Sequence, residues 1–92
     1  MTDDGQLLRQ YTRERSESAF GELVARHIDL VFSAALRVVD GERPLAQDVT
    51  QTVFADLARK ACGLPRDVML AGWLYRHACF TAAKAVRTER RG

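Results

Sequence analysis

The chain has 92 residues, of which 47% are hydrophobic and 28% charged. This balance excludes disorder over most of the length and gives enough apolar material for one buried core. The net charge of +2 is unevenly divided, because residues 1–30 carry a net −2 and residues 61–92 a net +4. No apolar run approaches the roughly 20 residues of a membrane span, and the acidic start lacks the pattern of a signal peptide. Two cysteines are too few for a disulfide framework, so we expect a cytoplasmic protein.

The spacing of apolar residues predicts two helices in the first half of the chain and no strand. The first helix is short and covers about residues 4–13. The second runs over about residues 18–39, with either Ser16 or Ser18 as its N-terminal cap. Its apolar arc is very wide, which is typical of the central helix in a bundle. The members of that arc are Phe20, Val24, Ile28, Val31, Phe32, Ala35, Leu36, Val38 and Val39.

Two further helices are predicted in the second half. The third covers about residues 44–60, because Pro44 suits a first helical turn and a Gly and a Pro follow its end. We expect its buried side to be Leu45, Ala46, Val49, Val53 and Leu57, with Phe54 at the margin. The fourth covers about residues 69–91. Short connections imply antiparallel neighbours, so the prediction is a single all-α domain over residues 1–92, a compact bundle of about four helices.

One stripe of the fourth helix combines aromatic and basic side chains on a helical wheel. This aromatic-basic stripe consists of Trp73, Arg76, Phe80, Lys84, Arg87 and Arg91, together with the neighbouring Arg90. The opposite arc is apolar and is expected to face the core: Ala71, Leu74, Tyr75, Ala78, Cys79, Ala82, Ala85 and Val86. Guanidinium and ammonium groups neutralise phosphates, and aromatic faces stack on unpaired bases. The stripe therefore predicts a helix that binds single-stranded nucleic acid.

Three groups of residues add a second line of evidence. They are AFGELV at 19–24 with Arg26-His27, AQDVTQTVF at 46–54, and GWLYR at 72–76 with RTERR at 87–91. In this order and at this spacing they resemble region 2 of a bacterial sigma factor of the extracytoplasmic-function type. The resemblance covers essentially the whole chain. It implies an all-α sigma region 2-like fold and a role in transcription initiation rather than catalysis.

The resemblance also implies which residues act. The third helix resembles the segment that binds the clamp coiled coil of the RNA polymerase beta-prime subunit, where the contacts would come from Asp48, Gln51, Thr52 and Ala55. The fourth helix resembles the segment that melts the promoter and reads a flipped base of the minus-ten element. Trp73 and Arg76 match the family pattern there, while Lys84, Arg87 and Arg91 stand where DNA backbone contacts are expected. An anti-sigma protein is a further implied partner.

The chain departs from the family pattern in three respects. Thr52 stands where the family commonly has Glu, which removes one charge from the implied polymerase contact. Phe80 stands where many relatives carry Asn, so the base preference is not inherited. No second helix-turn-helix domain follows Gly92, which leaves an excised fragment and a natural single-domain protein as the alternatives.

Several alternatives remain open. The chain as a whole could be a helical protein-interaction module or a duplex-binding helix-turn-helix regulator, although the connection over residues 61–67 is long for the latter. Trp73 could be a core anchor, and His77 could pack between helices or contact DNA. We expect His27 to be a hydrogen-bonded core histidine. No cofactor, metal site or catalytic constellation is predicted, because the His and Cys residues lack the spacing of a zinc site and no nucleophile–base pair can be assembled.

Overall fold

Short polar segments determine where the first two helices begin. The computed structural model describes residues 3–65 and 67–91, with the side chain of Arg91 outside the description. The first helix, α1, is Asp4–Glu14, and α2 is Glu17–Val38. Asp3 and Gln6 form a reciprocal capping box at the start of α1. At the start of α2 the Ser16 hydroxyl accepts a hydrogen bond from the amide of Ala19, so Ser16 is the cap.

The second half of the chain contains α3, Arg43–Lys60, a short 3₁₀ helix, Ala61–Gly63, and α4, Leu70–Arg91. Before α3 the chain turns at Gly41, whose φ of 85° lies in the left-handed region that favours glycine. The predicted and observed bounds of the four long helices differ by at most one residue at either end. No strand occurs among the described residues, so the all-α class is confirmed. Within the described part of the chain, no helix is both long and apolar enough to cross a lipid bilayer.

The central position predicted for α2 is confirmed, because this helix packs against α1, α3 and α4. It is antiparallel to α1, since Tyr11 near the end of α1 packs beside Phe20 near the start of α2, with 4.7 Å between ring centroids, and Asp4 at the start of α1 bonds to His27 further along α2. Helices α3 and α4 are also antiparallel neighbours, joined near the end of α3 and the start of α4 by Asp56 and His77. The predicted bundle of antiparallel neighbours is therefore present.

The core is formed by all four helices. Its fully buried large side chains are Leu23, Val31, Val53, Leu57 and Leu74. Helix α4 contributes a row of Leu74, Ala78 and Ala82, none of which is exposed. The two alanines in this row allow the backbone of α4 to approach its neighbours closely, and the row fixes which side of α4 faces outward.

The predicted buried arcs are too wide in several places. Tyr75 and Ala71 on α4 were expected to face the core, but Tyr75 is 42% exposed and Ala71 is exposed as well. On α2, Ile28 and Val38 are likewise exposed. A helical wheel assigns an arc by angle alone, whereas the buried width depends on how closely the neighbouring helices approach. Phe54 is buried, so its expected core position is confirmed.

The capping assignment gives a direct test. Replacing Ser16 with Ala removes the acceptor for the Ala19 amide, and we expect the free energy of unfolding to fall by about 1 kcal/mol. Ser33→Ala is the matched control, because Ser33 is an exposed serine of the same helix far from its cap; its cost should stay within about 0.5 kcal/mol. Ser18→Ala tests the other candidate cap and should cost less than Ser16→Ala, although the Ser18 hydroxyl bonds to that of Ser16 at 3.2 Å. Urea unfolding followed by circular dichroism measures all three, and a larger loss in Ser18→Ala would contradict the assignment.

Candidate functional site

The outer side of α4 presents the aromatic-basic stripe to solvent. Arg76, Lys84, Arg87 and Arg90 are exposed, and none of the four forms an ion pair with the described residues. Phe80 lies between them along the helix and is 62% exposed. The side chain of Arg91 lies outside the described residues. The structure therefore leaves an unpaired cationic surface with an uncovered phenyl ring in it.

Phe80 has a cationic neighbour within the stripe. The ammonium nitrogen of Lys84 lies 5.7 Å from the centroid of the Phe80 ring. At this distance the cation and the ring face attract each other weakly, by about 0.5–1 kcal/mol at an exposed site. The contact keeps one positive charge beside the ring, so an aromatic surface and a cationic group are available at the same place.

Trp73 occupies a different environment from the rest of the stripe. Its indole is half-buried and packs against the core, and it stacks on the imidazole of His77. The two ring centroids are 4.8 Å apart and the planes differ by 14°. The expected stripe position and the alternative core position each describe part of this environment, because Trp73 lies at the rim between solvent and core.

His77 is held by a residue that the sequence analysis did not select. Its Nε2–H donates to Oδ2 of Asp56 at 2.8 Å, and the guanidinium of Arg59 bonds to the other carboxylate oxygen. The side chains of His77 and Asp56 are only 19% and 15% exposed. Asp56 follows Val49 by seven residues and Val53 by three, so its helical spacing places it on the buried side of α3. A carboxylate on the buried side of a helix needs a polar partner. This rule could have identified Asp56 as a candidate from the sequence.

The hydrogen bond from His77 is the main cause that lowers the pKa of Asp56 below its ordinary value. Burial acts in the opposite direction, and the charges of Arg59, His77 and Lys60 add to the lowering. The carboxylate is therefore the favoured form of Asp56 in the folded protein. This ionised carboxylate connects α3 to the half-buried histidine of α4.

A second His–Asp pair connects the first two helices. The imidazole Nε2 of His27 lies 2.8 Å from Oδ2 of Asp4, and Arg26 bonds to the other oxygen of the same carboxylate. The expected hydrogen bond of His27 is therefore confirmed, but the residue is half-buried and lies at the rim of the core rather than within it. The pair has the same bond length as His77–Asp56, but no indole is described against its ring.

The outer side of α3 forms the other candidate surface. Asp48, Gln51, Thr52 and Ala55, which we call the α3 face, are all exposed. Beside them lies an open groove between α2 and α3 with a volume of about 430 Å³. Its lining includes Ile28, Phe32, Arg43, Gln47 and Gln51. Ile28 was predicted to be buried, so the sequence analysis missed the apolar part of this surface.

The groove has a mixed chemical character. Ile28 is 40% exposed, and the Arg43 guanidinium lies 5.9 Å from the centroid of the half-buried Phe32 ring. Gln47 and Gln51 supply amide groups on the α3 side. Asp29 adds a carboxylate to the same lining. An apolar floor edged by amides and by charges of both signs is suited to contact with another protein rather than with a phosphate backbone.

Comparison with families of known proteins, with curated protein sequences and with solved structures finds no match for this chain.

The lowered pKa of Asp56 gives a pH-dependent stability. Because the folded-state pKa lies below the unfolded value of about 3.9, ionised Asp56 stabilises the fold above that value, and the stabilisation disappears as pH falls through the folded-state pKa. We expect Asp56→Asn to be less stable than the parent chain at pH 6 and the difference to shrink below about pH 4.

Urea unfolding at a series of pH values measures this difference. Asp48→Asn is the matched control, because Asp48 is exposed and has no hydrogen bond or ion pair with the described residues. A destabilisation by Asp56→Asn that stays constant from pH 6 to pH 2 would contradict the assigned role of the carboxylate.

Proposed function

We propose that this chain is a transcription-initiation module, similar to region 2 of an extracytoplasmic-function sigma factor. In this proposal α4 captures single-stranded promoter DNA of the minus-ten element, and α3 binds core RNA polymerase. The observation that carries the proposal is the exposed Phe80 ring within a row of cations that have no ion pair among the described residues. A helix that served only the core would have no use for this arrangement.

The chemistry of the stripe matches an unpaired strand better than a duplex. Stacking of one base on an aromatic ring contributes about 1–3 kcal/mol, which offsets much of the few kcal/mol needed to unstack and unpair it. Phe80 lies seven residues after Trp73, a separation of about 10 Å along the helix, so the two rings can contact different bases. Arg76 lies between them and can form two parallel hydrogen bonds to a phosphate or a base edge.

The electrostatic contribution of this surface is small on its own. If Lys84, Arg87, Arg90 and Arg91 each neutralise one phosphate, the logarithm of the affinity would fall with the logarithm of the salt concentration with a slope of about −3. Such a footprint gives weak binding at physiological salt. The proposal therefore requires a second contact that holds the domain at the promoter.

The α3 face supplies a surface of the required kind. It is exposed, it shares no residue with the aromatic-basic stripe, and it continues into the groove over Ile28 and Phe32. Asp48 provides a carboxylate and Gln51 an amide that can accept hydrogen bonds from a partner. Polymerase bound there would raise the effective concentration of promoter DNA at α4.

The connection before α4 disfavours one alternative, a duplex-binding helix-turn-helix regulator that uses α4 as its recognition helix. That class joins its two helices by a turn of three to four residues. Here residues 61–69 separate α3 from α4 and include a 3₁₀ helix. A helical protein-interaction module is the second candidate, and the groove beside Ile28 is the observation that favours it. The two candidates differ in whether the stripe binds DNA.

DNA binding is tested with a fluorescent single-stranded minus-ten oligonucleotide at low salt. We expect Phe80→Ala to weaken binding about fivefold to 150-fold, the equivalent of losing one stacked base. Tyr75→Ala is the matched control, because Tyr75 is an exposed aromatic residue of the same helix that lies off the stripe. Equal effects of the two substitutions, or equal affinity for single strand and duplex, would contradict the proposal.

Polymerase binding is tested with the clamp coiled coil of the beta-prime subunit. We expect Asp48→Arg to weaken this complex by about tenfold or more, because a group that binds a carboxylate would then face a like charge. Affinity for the oligonucleotide should not fall. Glu14→Arg, a charge reversal at an exposed site on α1, is the control. Loss of coiled-coil binding in both variants would indicate nonspecific electrostatic attraction instead.

A further inference from the structure

We propose that His77 is a positioning residue for Trp73: Asp56 anchors the imidazole, and the imidazole holds the indole in the orientation in which it receives a base. This inference rests on the proposed function, in which the aromatic residues of α4 bind unpaired DNA. It assigns a role to two residues, Asp56 and His77, that do not themselves belong to the stripe.

The geometry supports a chain of contacts from α3 to the indole. Asp56 is fixed by Arg59 on one carboxylate oxygen and by His77 on the other, the latter at 2.8 Å. This hydrogen bond sets the rotation of the imidazole ring, because turning the ring would move Nε2 away from Oδ2. The imidazole in turn stacks on Trp73 with the planes only 14° apart. Asp56 thus orients the imidazole of His77, and the imidazole in turn orients the indole of Trp73.

Burial makes these contacts effective. The side chains of His77 and Asp56 are mostly shielded from water. A hydrogen bond to a charged group is stronger in such a shielded place than at the protein surface. Trp73 is only half-buried, so packing against the core covers part of the indole and leaves part accessible. Because His77 covers one face of the indole, that face is closed to a base, and any base that stacks on Trp73 must use the surface left accessible.

A fixed indole benefits binding because an ordered side chain loses little further freedom when a ligand binds. Immobilising one flexible side chain on association weakens a complex by about two- to tenfold, and a preorganised group avoids this loss. Phe80 has no comparable support, since its described ring contact is the exposed ammonium of Lys84. We therefore expect the two aromatic residues to differ, with Trp73 rigid before DNA binds and Phe80 mobile.

His77 acts through Trp73 rather than on DNA directly. One ring nitrogen and one ring face are already engaged within the protein, by Asp56 and Trp73 respectively. The second pair, His27 with Asp4, provides an internal comparison, because it has the same 2.8 Å bond between two helices. If a substitution acts only by loosening the contact between two helices, it should have the same effect at His27 as at His77. An effect on the motion of the indole should appear only when His77 or Asp56 is replaced.

The experiment uses Trp73 as its own reporter, because it is the single tryptophan of the chain. Time-resolved fluorescence anisotropy of the free protein measures local motion of the indole. We expect His77→Gln to raise the amplitude of that motion and to weaken binding of the single-stranded minus-ten oligonucleotide about two- to tenfold. His27→Gln should change neither quantity.

A second pair of variants tests the anchor without removing the stacked ring. Asp56→Ala should increase the motion of the indole, whereas Asp4→Ala, which removes the other anchor, should not. Both comparisons are made near neutral pH, with circular dichroism as the check that the helices remain formed. If His77→Gln failed to fold, the comparison of Asp56→Ala with Asp4→Ala would still decide the outcome.

The outcomes separate this inference from the proposed function. Unchanged indole motion in both His77→Gln and Asp56→Ala would overturn the positioning role, whatever happens to DNA binding. Increased motion with unchanged affinity would overturn it too, provided that Trp73→Ala weakens binding, and the proposed function would then survive. If Trp73→Ala left single-strand affinity unchanged, the base-binding role of Trp73 itself would be wrong.

Discussion

The burial of one row on α4 determines how the aromatic-basic stripe is presented. Leu74, Ala78 and Ala82 repeat every four residues and are completely buried against the neighbouring helices. Because successive residues of a helix are separated by 100°, Arg76 and Phe80 must then lie on the opposite side, facing water. The small alanine side chains permit close packing of α4, and the same packing excludes the stripe from the core. The packing of this row thus both stabilises α4 in the bundle and leaves the stripe exposed.

Hydrogen bonds between helices fix the rotation of each helix about its own axis more narrowly than apolar packing does. Apolar packing is non-directional and would tolerate small rotations of a helix, whereas a hydrogen bond between His and Asp requires a defined geometry. One such bond joins α1 to α2 at His27, and another joins α3 to α4 at His77. Both use half-buried side chains at the rim of the core. The second bond matters more for the candidate site, since it lies directly beside Trp73.

Much of the fold could be predicted from the sequence, because helical periodicity and end signals are local properties. Pro44 at the start of α3 and the serine before α2 indicated helix ends to within a residue. The exposure of Phe80 and its basic neighbours also followed from the helical period. Two kinds of feature did not follow, namely the exposure of apolar residues such as Tyr75 and Ile28 and the pairing of Asp56 with His77. Each depends on how separate helices approach one another, and the last joins residues 21 positions apart.

Phe80 shows most clearly why an interaction with a flat ligand suits this surface. An exposed phenyl ring gives up the stabilisation of about 1.5–3 kcal/mol that burial would provide, and single exposed apolar residues are common enough to need no explanation. The surroundings of this ring are less ordinary, because exposed cations flank it along the helix and Lys84 lies over its face. Water solvates those cations well but the ring poorly. A nucleic acid strand offers a phosphate to each cation and a base to the ring, so it can satisfy both kinds of group together.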